Sequence, residues 1–138
     1  MRAAILLVVC GLPLAGCPSD SPSTCTMDSQ CGGDVCARDG ECLPATEIQS
    51  VKVTWTIRGQ AASATTCASS PDLLLQFDGY SYGDSFGYAP VPCMEGQFTM
   101  DKLPTRFQQV DIGVNNAGYF LGSKPIDATR VVAFDLAP

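Results

Sequence analysis

The chain has 138 residues, 46% of them hydrophobic, with 8 Lys and Arg against 14 Asp and Glu, and it contains no His. An acidic protein without a basic cluster is a poor partner for nucleic acid, whose affinity comes from neutralising phosphates. The missing imidazole removes the usual general base, the commonest metal ligand and every Ser-His or Cys-His nucleophile arrangement.

The first element is an export signal. Arg2 and the initiator amine make a short positive region, and Ala3 to Ala15 is apolar apart from Gly11 and Pro13. At about 13 residues this stretch is shorter than the roughly 20 that a spanning helix needs. It ends in Leu14-Ala15-Gly16-Cys17. That run resembles the lipobox of bacterial lipoproteins. The resemblance implies a signal peptide over residues 1–16, removed just before Cys17. It further implies a diacylglyceryl group on the Cys17 thiol and an acyl chain, such as palmitate, on the new amine. Residues 17–24 then form a lipidated tether, rich in Pro and Ser. Several acyl chains hold stably because each buried methylene contributes roughly 0.8 kcal/mol. By the family's sorting pattern, Pro18 after the Cys implies the outer membrane of a Gram-negative cell. In any other cell the resemblance implies a lipid anchor on the extracytoplasmic side of the cell membrane. Removing the signal leaves 122 residues and costs one cation, Arg2, so seven cations face fourteen anions.

The eight cysteines divide on the same plan. The lipobox resemblance implies that Cys10 leaves with the signal and that Cys17 takes the lipid. Cys25, Cys31, Cys36, Cys42, Cys67 and Cys93 remain, an even set that an oxidising compartment pairs into three disulfides. The first four are spaced C-x5-C-x4-C-x5-C within residues 25–44. Only Met27, Val35 and Ala37 are apolar between these cysteines, so bridges must hold this knot. The segment resembles EGF-like and other small cysteine-rich repeats of bacterial lipoproteins. The favoured pairing is interlocked, Cys25–Cys36 with Cys31–Cys42, while nested and sequential pairings stay open. Cys67 and Cys93 are expected to bridge across the strand at Leu73–Phe77.

From residue 45 to 138 the pattern has period two. Val51, Val53, Trp55 and Ile57 alternate with polar residues, and Leu73, Leu75 and Phe77, then Val110, Ile112 and Val114, then Val132, Phe134 and Leu136 recur at every second position. Shorter strands are expected at Phe98–Met100 and Tyr119–Leu121. Gly59-Gln60, Asp78-Gly79 and Asn115 to Gly118 read as turns. The fold class is therefore mainly β: a small disulfide knot followed by an antiparallel β-sandwich of about seven strands. The strand Val51-Lys52-Val53-Thr54-Trp55, the strand Gly96 to Met100, and Leu103-Pro104 leading into Val110 to Val114 resemble the carboxypeptidase-regulatory or transthyretin-like sandwich. In that family most such domains are spacers or binding modules. The family's Gly and aromatic after Leu-Pro are replaced here by Thr105-Arg106-Phe107.

Three places could carry function. Asp28, Asp34, Asp39 and Glu41 in the knot offer hard oxygen ligands, but their spacing fits no EF-hand, and Asp and Gly are ordinary turn residues. Ser123-Lys124 are adjacent and point to opposite faces of a strand. The segment Asp78 to Tyr88 has the composition of a binding loop, with Tyr80, Tyr82, Phe86 and Tyr88 among Gly, Ser and Asp; the plainer alternative is a Tyr-rich β-hairpin whose rings cover the flank of the sandwich. Trp55, on an inward position, reads as core. These observations lead to a non-catalytic binding or structural lipoprotein of the cell envelope, with no catalytic residue, metal or cofactor. It would touch the membrane through Cys17 and meet an envelope protein or polysaccharide. The alternatives are a small disulfide-stabilised inhibitor or signalling antagonist, and a sugar-binding module using residues 78–88.

Overall fold

The structure, a computed structural model, describes residues 24–138. The signal segment, the lipobox with Cys17 and the tether up to residue 23 lie outside the described residues. Strands β1 (Val35–Cys36) and β2 (Cys42–Leu43) form the knot's small ladder. The sandwich consists of β3 (Ile48–Ile57), the two-residue β4 (Gln60–Ala61), β5 (Asp72–Gly79), β6 (Ser85–Pro92), β7 (Gln97–Pro104), β8 (Phe107–Val114), β9 (Phe120–Pro125) and β10 (Val131–Leu136). Apart from β4, these are seven strands of six to ten residues. Among the described residues the only helical elements are three short 3-10 turns, and no helix is long and apolar enough to cross a membrane.

One sheet runs β6-β5-β8-β9; the other has β3 at its centre, flanked by β10 on one side and by β7 and β4 on the other. Alternation decides which residues meet between them. Val51, Val53, Trp55 and Ile57 are buried on β3, and Leu73, Leu75 and Phe77 on β5. Leu75 lies opposite Ile112 on one side and Tyr88 on the other, and Phe77 lies opposite Val110 and Phe86. Burying each large side chain contributes roughly 1.5–3 kcal/mol. Trp55 belongs to this core and its indole N–H donates to the Cys93 carbonyl at 2.7 Å. Gly122 on β9 sits under Phe134 of β10, where an added Cβ would stand 3.0 Å from the ring.

Three features depart from the sequence reading. Strand β10 pairs with β3 in parallel, Val131 opposite Lys52 through Leu136 opposite Ile57, so the sandwich is not wholly antiparallel. The chain reaches β10 from the other sheet, and a hairpin's reversal of direction does not apply. The hairpin alternative for residues 78–88 is present, but its second strand, β6, runs on to Pro92 through Gly87 and Pro90, farther than expected; it is an edge strand, the place in a sheet where Pro is tolerated. The strand at Tyr119–Leu121 instead covers Phe120–Pro125.

The interlocked knot pairing is present: Cys25–Cys36 and Cys31–Cys42, with Cα separations of 5.7 and 5.3 Å. Cys36 and Cys42 face each other across the β1–β2 ladder, so the bridges leave from adjacent positions. Cys67–Cys93 is the third bridge, buried at both ends.

Candidate functional site: an aromatic hairpin tip braced by Arg106

The segment that the sequence marks as a binding loop is mostly strand. β5 continues to Gly79 and β6 begins at Ser85, so the turn proper is Tyr80 to Asp84. The Gly79 amide donates to the Asp84 carbonyl, and Gly83 supplies the left-handed φ of +85° that closes the turn. The four aromatic candidates separate accordingly. Phe86 faces inward and packs against the core. Tyr88 is half exposed and its ring lies 4.9 Å from that of Phe98 on β7. Tyr80 is 79% exposed, with its hydroxyl donating to Gln108, and Tyr82 is fully exposed at the tip. The binding-loop reading thus narrows to Tyr80 and Tyr82, with Tyr88 on the flank.

Arg106 holds this tip in place. It sits at the corner where the chain leaves β7 in one sheet and enters β8 in the other. That corner is fixed from below. The Thr105 amide donates to the Glu47 carbonyl, and the buried Gln49 side chain donates to the Phe107 carbonyl at 3.0 Å. From there the guanidinium reaches Asp84 of the turn at 3.1 Å, Glu41 of the knot at 2.8 Å, and Asp39 of the knot. It also lies 5.0 Å from the Phe107 ring centroid. Arginine's planar fork suits several carboxylates at once, which a lysine would not. Burial works against the charge on Arg106, but Asp39, Glu41 and Asp84 outweigh it and raise the pKa above its ordinary value. Three carboxylates occupy the guanidinium, so it is not a free anion-binding site.

A second clamp lies beside the first. The register of β3 on β7 shifts between Gln49 and Val51, leaving an extra residue on β7, and Lys102 takes a φ of +58° there. The bulge turns Lys102 toward the knot. Its ammonium contacts Asp28 at 2.7 Å and its carbonyl accepts from the Arg38 amide at 2.9 Å. The Asp28 carboxylate also accepts from the Cys36 amide. Lys102 first, and that amide second, hold the Asp28 pKa below the usual carboxylate range. Three of the four knot carboxylates therefore meet sandwich cations, where the sequence offered them as metal ligands or turn residues. Arg106 was missed because Asp39, Glu41 and Asp84 converge only after folding; the single signal was its place in a Leu-Pro corner.

Ser123 and Lys124 form no nucleophile pair, since the Lys124 ammonium donates to the Ala133 carbonyl at 2.6 Å and lies 5.5 Å from the Phe134 ring. The sulfurs of Cys25, Cys31 and Cys42 lie within 4.8 Å of one another, a grouping free thiolates could offer a metal. Each of these sulfurs is in a disulfide.

Replacing Arg106 with Met should cost roughly 1–3 kcal/mol, between the value of an exposed pair and that of a buried one. It should also speed hydrogen exchange at the Arg38 and Gly40 amides of the knot while the β3 amides stay protected. Unchanged knot exchange would show that Arg106 does not hold the two parts together.

On the outer face of the β6-β5-β8-β9 sheet, Asp78 and Asp111 approach each other. Gln76 donates to Asp78 at 2.8 Å, and the second Asp78 oxygen is buried without a hydrogen-bond partner. Burial first, then the Asp111 charge, pushes the Asp78 pKa above its ordinary 3.8, against the opposing Gln76 hydrogen bond. A raised carboxyl pKa favours the fold when protonated. That contribution is full below 3.8 and is lost as pH rises through the folded value. Asp78→Asn should therefore raise the melting temperature at neutral pH, and the gain should vanish in acid below 3.8. Melting curves across pH test this; an equal shift at every pH would refute it.

No protein family, curated protein or solved structure matches the chain.

Proposed function

We propose that this chain is a lipid-anchored lipoprotein of the bacterial cell envelope, acting as a non-catalytic binding or structural module. The carrying observation is the cysteine pattern. All six cysteines beyond Cys17 are paired, as an oxidising extracytoplasmic compartment favours. That leaves Cys17, at the end of Leu14-Ala15-Gly16-Cys17, free for the lipid. The EGF-like and transthyretin-like resemblances of the knot and the sandwich fit the same class. The absence of His from the sequence, and the engagement of the knot carboxylates by Lys102 and Arg106, favour a binding or spacing role over chemistry. The same ion pairs weigh against the knot as a free-standing inhibitor loop. Partners of this class are the membrane itself and an envelope protein or polysaccharide. Cells fed labelled palmitate should incorporate it into this protein, and the protein should partition into the detergent phase on phase separation. An unlabelled protein in the aqueous phase would overturn the reading.

A further inference from the structure

We infer that the tyrosine tip of the β5–β6 hairpin rests in the headgroup layer of the membrane that holds the lipid anchor. This inference rests on the lipoprotein reading and deepens it. A chain of contacts fixes which end of the domain carries the anchor. The described chain begins at Thr24, which packs beside Gly40, and the Cys25 amide donates to the Gly40 carbonyl. Asp39 and Glu41, on either side of Gly40, bind Arg106. Arg106 binds Asp84, two residues beyond Tyr82. The start of the described chain and the tyrosine tip thus share one end of the sandwich. Seven peptide links separate Cys17 from Thr24, and covalent geometry limits their reach to at most about 25 Å. The opposite end, where Tyr119 follows β8, lies farther away by the length of that strand, roughly 27 Å for its eight residues. The tethered end is the one held closest to the bilayer.

That end is also built for an interface. Tyr80 and Tyr82 are exposed there, and Met27 of the knot, 57% exposed, lies two residues from Cys25. Tyrosine combines an apolar ring with a polar hydroxyl, the combination that concentrates at membrane–water boundaries. Tyr82 buries nothing in the fold, and Tyr80 contributes only its hydroxyl, to Gln108. The three carboxylates around Arg106 leave the local charge negative, so zwitterionic headgroups should be preferred to anionic ones. The tyrosines then supplement the anchor and set the domain's orientation.

The experiment uses the full, lipidated chain reconstituted into vesicles of phosphatidylcholine and phosphatidylethanolamine containing a brominated lipid as quencher. Tyr82→Trp reports on the tip and Tyr119→Trp on the far end; the native Trp55 is buried and supplies a constant background. The expected result is that the residue-82 indole loses most of its emission while the residue-119 indole keeps it. Replacing part of the zwitterionic lipid with phosphatidylglycerol at low salt should reduce the loss. Equal emission at both positions, in protein whose mass includes the acyl chains, would overturn the membrane contact and leave the anchor standing. Protein without acyl chains that does not bind the vesicles would overturn the anchor and this inference together. A residue-82 indole shielded from aqueous quencher in whole cells but untouched by brominated lipid would assign the tip to a protein partner instead.

Discussion

Behind a plain secretory signal in place of residues 1–16, the Cys17→Ser chain is expected to leave the membrane fraction almost completely. The physical reason is the loss of every acyl chain, each buried methylene of which contributes roughly 0.8 kcal/mol. Two exposed tyrosines cannot replace that, because an interfacial ring contributes far less than a full chain. Folding should be unaffected, since Cys17 belongs to none of the three bridges. The released protein should keep the melting curve of the anchored form in detergent. Fractionation with a blot for the protein reads the first expectation and circular dichroism the second. Retention in the membrane would mean that something other than the Cys17 lipid holds it there.

The second large effect is on stability. The double variant Cys67→Ala/Cys93→Ala should lose about 3–4 kcal/mol, the chain-entropy value for a loop of this length. The bridge closes 26 residues, against 11 for each knot bridge, so it restrains the unfolded chain most. Both sulfurs are buried in the core, so their removal also leaves unfilled space. The Trp55 hydrogen bond to the Cys93 carbonyl depends on the same local geometry. A drop of roughly 10–20 °C in melting temperature follows for a domain of this size. A drop of only a degree or two would show that the packing of β3 on β5 holds the loop without the bridge.

The strands that were legible share one property. In β3, β5, β8 and β10 a large apolar residue recurs at every second position, because one face of each strand is turned to the core. Only the start of β6 was legible, as the far arm of a Tyr-rich hairpin; beyond it Gly87, Pro90 and Pro92 weaken any strand signal, and the strand continues because β5 offers it a partner. The parallel pairing of β10 with β3 depends on which sheet the chain crosses from, information that no local window holds. The site divides in the same way. The aromatic composition of residues 78–88 pointed to the exposed hairpin tip, and Phe86 is not part of it because it lies opposite the buried Phe77 and packs against the core. The bracing of that tip was not readable, because the guanidinium of Arg106 meets carboxylates drawn from positions 39, 41 and 84. Nor was the bulge that aims Lys102 at Asp28, which appears only when the register of β3 on β7 is known.

The stabilising logic runs from the knot to the tip. Disulfides hold a segment too polar for a core of its own, ion pairs join it to the sandwich, and the corner at Arg106 carries the hairpin turn. Loosening the knot should therefore loosen the tip, and any function at Tyr80 and Tyr82 should depend on the bridges as well as on the rings.

The most direct measurement is the intact mass of the protein from native membranes, followed by peptide mapping under reducing and non-reducing conditions. The expected result is a chain that starts at an acylated Cys17, with peptides linked as Cys25–Cys36, Cys31–Cys42 and Cys67–Cys93. A chain that retains residues 1–16, or carries an unmodified Cys17 thiol, would contradict it.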